Sequence, residues 1–293
     1  MYYNFNDISI YYEKYGNGNK NILILPGWGD TRKTFMSMIS YLKEYYTVYI
    51  VDYPGFGNSS FPKYDLTIYD YTNYIRKFIK DLNITNSIII AHSFGGRIAT
   101  LLTGYYKEDI EKLVFIDVAP IKHKKTIFKF IKEKTYKMLK KVKFILPKKY
   151  RNIYLNKLLN VFGSSDYKSL PCNMQKTFQN IVGEDLTMYL NNIKQETLII
   201  WGELDKDTPL KDGIKINSLI KNSAIITLSK AGHFSYLDYP ILTNRIIKEF
   251  LKWTLLWYYF FFFIIFWCNN NFSMEMLICN FFIISYSTRY PNS

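Results

Sequence analysis

The chain has 293 residues, of which 48% are hydrophobic and 21% charged, and this composition excludes a disordered, collagen-like or coiled-coil protein. Three cysteines are too few to indicate a disulfide framework, and none has metal-ligand spacing with a histidine. The net charge of +14 comes almost entirely from lysines in a chain also rich in Asn, Ile, Tyr and Phe, a profile typical of AT-rich coding, so no nucleic-acid partner is expected.

The first 16 residues predict a β-hairpin rather than a targeting signal. They lack the positive n-region and the continuous apolar stretch of a secretory signal peptide. Aromatic-rich arms flank Asn6 and Asp7, which are typical turn residues. We therefore expect a cytoplasmic protein that begins with two antiparallel strands.

Beyond the hairpin, short apolar, β-branched runs alternate with amphipathic segments, a pattern typical of parallel strands joined by crossover helices. The clearest helix spans residues 71–82, where apolar residues recur at helical spacing opposite a charged face. The six strands predicted here are Ile22–Leu25, Val48–Asp52, Ser87–Ala91, Leu113–Asp117, Thr197–Trp201 and Ala224–Leu228. The other predicted helices are Thr34–Leu42, Phe94–Tyr106, Ile214–Ile220 and Ile241–Trp253.

Two segments interrupt this alternation. Residues 121–195 contain helical patterns but no convincing buried strand, and their first part, 121–160, carries fourteen Lys or Arg against one acid. Residues 254–293 begin with an uncharged apolar run of 14 residues, which as a helix would span about 21 Å of a bilayer core roughly 30 Å thick. A dispensable tail is favoured, and membrane contact through this tail or through the basic insertion is the alternative.

The sharpest local signal is SIIIAHSFGGRIA, in which a strand runs into Ser93 and directly into a helix. Ala91 and Gly95 are the small residues that a nucleophile elbow needs two positions before and after the serine, because bulky side chains would collide in the sharp turn. The helix that starts there would direct free N–H groups toward developing negative charge. Ser93 is therefore the candidate nucleophile.

A serine nucleophile needs a histidine base, which a carboxylate orients in turn. Of the three histidines, His92 adjoins the serine and should point away from it, and His123 opens the lysine-rich insertion. His233, in a loop after the last predicted strand, is therefore the candidate base.

We expect the acid between the serine and the histidine in the chain, because one known arrangement of these three residues has the order serine, acid, histidine. The loop WGELDKDTP follows a predicted strand in this interval. It offers Glu203, Asp205 and Asp207, and the residues alone leave these three open.

Five motifs in order closely resemble the α/β-hydrolase superfamily, in particular its esterases, lipases and carbon–carbon hydrolases with a helical cap. The motifs are ILPGWGD, VDYPGFGNSSFP, AHSFGGRIA, WGELDKDTP and AGHFSYLDYP. The resemblance covers about residues 8–252 and implies a mostly parallel eight-stranded sheet flanked by helices. It places the core at 1–120 and 196–253 and an inserted helical cap at 121–195, and it leaves 254–293 as an apolar tail of uncertain structure.

The resemblance also implies roles for individual residues. Asp205 matches the triad acid of the family, while Asp207 is a less favoured choice. Asp117 is a third choice, because some lipases of the superfamily carry the acid after the preceding strand. The loop PGWGD stands where the family has its oxyanion turn, which assigns the backbone N–H groups of Trp28 and Phe94 to the oxyanion hole.

The sequence therefore predicts a serine hydrolase that transfers the acyl group of a carboxylic ester to water through Ser93, His233 and Asp205. It needs no metal or organic cofactor, and its expected partner is a small-molecule ester or acyl substrate. The alternatives are a carbon–carbon bond hydrolase of the same fold and a ligand-binding homologue of low turnover. A dehalogenase or epoxide hydrolase is disfavoured, because those relatives carry a carboxylate where Ser93 stands.

Overall fold

The computed structural model describes residues 1–122, 134–136, 138–162 and 170–252. An eight-stranded sheet of order β1-β2-β4-β3-β5-β6-β7-β8 forms the centre of the fold. Its strands are β1 (Tyr2–Phe5), β2 (Ile8–Tyr15), β3 (Asn21–Leu25), β4 (Thr47–Val51), β5 (Ser87–His92), β6 (Ile110–Ile116), β7 (Glu196–Gly202) and β8 (Ser223–Leu228). β2 pairs antiparallel with both β1 and β4, and the other five strand pairs are parallel, so the predicted mostly parallel fold class is confirmed.

The central strands are parallel because their sequences can be buried on both faces. Every residue of β5 is buried, and so are four of the five residues of β3 beside it. In register, Leu23 lies opposite Ile89 and Ile24 opposite Ile90. Near-continuous apolar runs of this kind are typical of strands that helices cover on both sides.

Nine α-helices lie wholly within the described ranges, besides the helical residues 134–136 and 138–141. They are α1 (Arg32–Leu42), α2 (Ile68–Asp81), α3 (Phe94–Thr100), α4 (Lys148–Phe162), α5 (Gln175–Gly183), α6 (Thr187–Leu190), α7 (Leu210–Leu219), α8 (Ser235–Asp238) and α9 (Pro240–Lys252). Phe35 of α1 and Phe250 of α9 join one buried apolar cluster with Ile24 and Ile90 of the sheet. Burial of these side chains contributes about 1.5–3 kcal/mol each, so the cluster fixes both helices on the strands.

The helix after β5 is shorter than the predicted Phe94–Tyr106. Regular α-helix ends at Thr100 and continues as a π-helical turn over Leu101–Tyr105. The hydroxyls of Thr100 and Thr103 donate hydrogen bonds to the carbonyls four residues before them, at 2.7 and 2.8 Å. Such side-chain bonds compete with the regular helical ladder and account for the local change.

The chain divides into two compact units. One contains the described residues of 1–63, 68–121 and from 185 onward, and the other contains those of 64–67 and 122–184. The second unit ties Leu66 to α5, since the backbone N–H of Leu66 donates to Thr177 Oγ1 at 3.0 Å. The predicted core and cap boundaries, 1–120 with 196–253 and 121–195, stay predictions.

The predicted tail, 254–293, lies outside the described residues, as do residues 123–133 and 137 of the lysine-rich part of the insertion. None of the helices in the described ranges combines the length and the apolar character that a bilayer span requires.

Candidate active site

Ser93 stands in a sharp turn between β5, which ends at His92, and α3, which begins at Phe94. Its backbone angles are φ 46° and ψ −109°, a conformation that side chains rarely adopt. The neighbouring strand supports the turn: the N–H of Ser93 donates to the carbonyl of Ile116 at 3.2 Å, and its carbonyl accepts from the N–H of Ala119 at 3.1 Å. The geometry is that of the predicted elbow.

Three of the predicted residues lie in one hydrogen-bonded chain. The Nε2 atom of His233 lies 3.0 Å from Ser93 Oγ, and its Nδ1 atom lies 2.8 Å from Asp205 Oδ2. The carboxylate of Asp205 is completely buried, and the imidazole is 15% exposed. Because an ionised carboxylate can only accept, Nδ1 carries the proton, and Nε2 is left to accept the hydrogen of the serine hydroxyl.

The loop after β7 orients Asp205 with three further donors. Asp205 Oδ1 accepts the backbone N–H groups of Asp207 and Thr208 at 2.8 and 3.0 Å. The hydroxyl of Thr208 donates to Oδ2 at 2.6 Å, and the indole N–H of Trp201 donates to the Thr208 carbonyl at 2.8 Å. Thr208 was not predicted from the sequence, although an Asp followed three positions later by Thr is a recognisable turn pattern.

The two partners move each other's pKa. Burial opposes ionisation of Asp205, but the hydrogen bonds from His233 and Thr208 outweigh it and hold the pKa of Asp205 below its usual value. Burial likewise lowers the pKa of His233, yet the hydrogen bond to Asp205 and the charge of that residue raise it above 6.5 overall, with further support from Asp117 and Asp207. The site therefore favours a carboxylate beside a histidine that protonates readily.

The other candidate acids of this loop do not hydrogen-bond His233. Glu203 accepts hydrogen bonds from Ser229 and the Lys230 N–H. Asp207 is exposed and contributes its backbone N–H to Asp205. Among the described carboxylates, Asp205 is the one that hydrogen-bonds His233.

Asp205, Asp207 and His233 could each bring one ligand atom within 4.8 Å of the others, which is close enough for a metal ion. Both nitrogens of His233 already have partners, however, in Ser93 and Asp205. A metal ligand needs a free nitrogen lone pair, so the arrangement fits a proton relay better than a metal site.

His92 lies behind the loop that carries His233 and acts on its backbone. Its Nε2–H donates to the His233 carbonyl at 2.9 Å. The ring is 1% exposed and lies 5.1 Å from the ring of Tyr236, centroid to centroid. Complete burial lowers the pKa of His92 to about 3, so the residue stays neutral. The third histidine, His123, lies outside the described residues.

A second tie connects this loop to the turn after β3. The hydroxyl of Tyr236 donates to Asp30 Oδ2 at 3.2 Å, and the Tyr236 ring stacks on Phe35 of α1 at 4.7 Å. Neither Asp30 nor Tyr236 was predicted from the sequence, because the two residues are 206 positions apart in the chain and no local pattern indicates their contact.

The residues predicted for the oxyanion hole lie side by side. The rings of Trp28 and Phe94 meet edge to face with centroids 5.2 Å apart, and Phe56 packs on Trp28 at 4.7 Å. Phe94 is the first residue of α3 and is 3% exposed. Their role as donors to an oxyanion stays a prediction.

Comparison with known proteins gives a consistent result. A family model described as alpha/beta hydrolase fold matches residues 20–142. The pimeloyl-[acyl-carrier protein] methyl ester esterase of Wigglesworthia glossinidia brevipalpis is 30% identical over 258 residues, which are 81% of this chain and 95% of that protein. The chain belongs to the α/β-hydrolase family.

More distant members of the α/β-hydrolase family match over similar lengths. A 2-hydroxy-6-oxononadienedioate/2-hydroxy-6-oxononatrienedioate hydrolase of Pseudomonas putida is 23% identical, covering 84% of this chain and 92% of its own. The crystal structure of the enol-lactonase from Burkholderia xenovorans LB400 superposes with a TM-score of 0.67 at 20% identity, covering 86% of this chain and 100% of that one. The last likeness shows the fold alone. With relatives named as hydrolases and esterases, this α/β hydrolase is an enzyme, as predicted.

Gly95 tests the packing of the elbow. A Cβ atom at this position would lie 2.0 Å from the carbonyl oxygen of Leu25 at the end of β3. We expect Gly95→Ala to lower the free energy of unfolding by about 2–3 kcal/mol, because the new Cβ would collide with backbone atoms of β3 that have little room to relax. Gly183→Ala is the matched control, since a Cβ there meets nothing within 4 Å. Urea unfolding that ranks the two variants equally would contradict the close contact.

The buried neutral state of His92 predicts a pH dependence of stability. In the folded protein the His92 ring stays unprotonated down to about pH 3, whereas in the unfolded chain it takes up a proton near pH 6.5. As pH falls from 6.5 toward 3, His92 should therefore reduce the free energy of unfolding by up to about 1.4 kcal/mol per pH unit.

The variant His92→Gln retains an N–H donor for the His233 carbonyl but does not titrate. Unfolding free energies measured between pH 6.5 and 4 should decline less steeply for this variant than for the wild type. Parallel slopes for the two proteins would show that His92 is not held neutral.

Proposed function

We propose that this α/β hydrolase is a serine esterase that cleaves a carboxylic ester through Ser93, His233 and Asp205. The observation that carries the proposal is the hydrogen-bonded chain from Ser93 Oγ through the imidazole to Asp205, with separations of 3.0 and 2.8 Å. Both distances lie within hydrogen-bond reach, the first requirement for a nucleophile and its general base.

In the first half-reaction, Ser93 Oγ attacks the ester carbonyl carbon while His233 Nε2 takes the serine proton. The imidazolium that forms lies against the carboxylate of Asp205, which stabilises its charge and keeps Nδ1 protonated. His233 then gives the Nε2 proton to the leaving alkoxide, and an alcohol departs. The acyl group remains on Ser93 as an ester.

In the second half-reaction, water replaces the alcohol. His233 takes a proton from the water as its oxygen attacks the acyl carbon, and returns the proton to Ser93 Oγ as the acyl–oxygen bond breaks. A carboxylic acid leaves and the resting hydrogen bonds re-form. The raised pKa of His233 supports this role, because a general base works best when its pKa is near the working pH.

Two backbone N–H groups would stabilise the negative oxygen of each tetrahedral intermediate. Phe94 directly follows the nucleophile, as the usual arrangement of an elbow requires, and Trp28 supplies the second donor from the turn after β3. The contact between the rings of these two residues supports their pairing. Each such donor is worth about 3–4 kcal/mol in comparable reactions.

For the substrate, we propose a methyl or similarly small alkyl ester of an acyl chain. Support comes from the W. glossinidia relative, which is named as a pimeloyl-[acyl-carrier protein] methyl ester esterase and which this chain matches over 95% of its length. A small-molecule ester remains the broader class.

Carbon–carbon bond hydrolysis is the second candidate. The P. putida relative, named as a hydrolase of 2-hydroxy-6-oxo dienedioates, favours it with 23% identity over 92% of its length. In that reaction the leaving group is a carbanion equivalent, which must receive its proton on carbon rather than oxygen. The identity to this relative is lower than to the esterase, and the reaction needs protonation of a carbon atom. Carbon–carbon hydrolysis is therefore the weaker candidate.

The triad variants test the chemistry. We expect Ser93→Ala to abolish both labelling by a fluorophosphonate and hydrolysis of short p-nitrophenyl esters. His233→Ala and Asp205→Asn should each lower kcat by at least about 10³-fold, because the base or its orientation is lost.

Asp207→Asn is the matched control for the acid, because Asp207 meets Asp205 through its backbone N–H, which the variant keeps. Its kcat should stay within about threefold of the wild type. Ester turnover that survives in Ser93→Ala would place the nucleophile elsewhere, and a benign Asp205→Asn would reject the assigned acid.

Substrate preference tests the bond that is cleaved. One test compound is a dicarboxylic acid with a thioester at one end and a methyl ester at the other. The protein should hydrolyse its methyl ester with a kcat/KM at least about 100-fold above that for a 2-hydroxy-6-oxo dienoate, because the alkoxide that leaves is protonated on oxygen. The reverse ranking would favour carbon–carbon hydrolysis. A single burst of acylation without steady turnover on either compound would instead indicate the ligand-binding alternative.

A further inference from the structure

We infer that Asp117, a buried carboxylate outside the triad, is a positioning residue that anchors the loop of His233 to the ends of two parallel strands. The inference rests on the proposed function, because it assigns a role relative to the proposed general base. Asp117 directly follows β6 and has no exposed surface.

The contacts of Asp117 join three segments. Its Oδ1 atom accepts the backbone N–H of Gly202, the last residue of β7, at 2.7 Å. Its Oδ2 atom accepts both the hydroxyl and the backbone N–H of Ser235, at 2.6 and 3.3 Å. Ser235 lies two residues after His233, so the carboxylate fixes the loop directly beside the proposed base.

The backbone of Asp117 is held at the same junction. Its N–H donates to the carbonyl of Ile200 in β7 at 3.1 Å. Its carbonyl oxygen lies 3.2 Å from the hydroxyl of Thr208, whose proton is directed to Asp205 at the shorter distance of 2.6 Å. Asp117 therefore contacts both the acid loop and the histidine loop.

The conformation of Asp117 indicates that this placement is enforced. Its φ is +47°, in the left-handed region. A non-glycine residue there costs of order 1–3 kcal/mol unless its surroundings hold it, and such outliers concentrate at functional sites. The hydrogen bonds to Gly202 and Ser235 are the contacts that offset this cost.

The charge of Asp117 also acts on His233. Burial is the main cause that raises the pKa of Asp117, and the charge of Asp205 adds to it. The hydrogen bonds from Ser235 and Gly202 and the charge of His233 oppose the shift, and the net result is a pKa of about 7. In return, ionised Asp117 adds to the larger effect of Asp205 in raising the pKa of His233. A purely structural residue would not have this second effect.

The experiment measures kcat, KM and the pH profile of kcat/KM on a p-nitrophenyl ester for Asp117→Asn, Ser235→Ala and the double variant. Asp117→Asn should lower kcat by about tenfold with KM within about twofold, and move the acidic limb of the profile to lower pH. Ser235→Ala should also lower kcat, and Ser235→Thr, which keeps a hydroxyl, should restore it. The double variant should lose less than the product of the single losses, because both single variants disturb the same hydrogen bond between the Ser235 hydroxyl and Asp117.

Asp52→Asn is the matched control. Asp52 is a buried carboxylate after β4, and it accepts the N–H of Asn58 within its own turn at 2.9 Å. Its removal should leave the acidic limb in place, even if the variant is less stable. An acidic limb shared by Asp117→Asn and the wild type, or multiplicative losses in the double variant, would overturn the inference.

Two readouts separate the possible failures. If Asp117→Asn does not fold, Ser235→Ala with Ser235→Thr decides the matter, and an unchanged kcat in Ser235→Ala overturns the inference. Labelling of wild-type Ser93 by a fluorophosphonate is measured in parallel. Absence of that label would reject the proposed function itself, whereas a normal label with unmoved profiles would reject the role of Asp117 alone.

Discussion

Ser93 has backbone angles that an ordinary residue adopts only at a cost of order 1–3 kcal/mol, and the surrounding sheet keeps it there. The turn is bonded to β6 through the carbonyl of Ile116, and Gly95 lets the helix approach the end of β3 at a distance that excludes any side chain. The position of the serine hydroxyl is therefore a property of three adjacent strands. The same rigidity gives His233 a fixed target.

The parallel order of the strands explains why residues so distant in sequence meet. Ser93 follows β5, Asp117 follows β6, Asp205 follows β7 and His233 follows β8, and these four strands are neighbours in that order. Parallel strands end at the same edge of a sheet, where the loops of open α/β sheets form their sites. The serine and the histidine are 140 residues apart in the chain, yet their reacting atoms are 3.0 Å apart.

The strands and the chemistry-bearing loops could be predicted from the sequence because their signals are local. Buried runs such as Ser87–Ala91 match the observed strands to within a few residues, and the small residues around Ser93 predicted the elbow. The π-helical turn after Thr100 was not predicted, because it depends on which carbonyl each threonine hydroxyl selects. Thr208 and Tyr236 were missed because their partners are set by tertiary packing rather than by spacing.

Two buried carboxylates differ in behaviour because their donors differ. Asp205 receives a hydroxyl, two backbone N–H groups and an imidazole N–H, which together outweigh its burial and keep its pKa low. Asp117 accepts one hydroxyl and two backbone N–H groups but no imidazole N–H, so burial dominates and raises its pKa. Environments that move the pKa values of two similar groups apart in this way suit the groups to different tasks. The carboxylate with the lower pKa is the one in contact with the imidazole, which is the arrangement that a permanent counter-charge to an imidazolium requires.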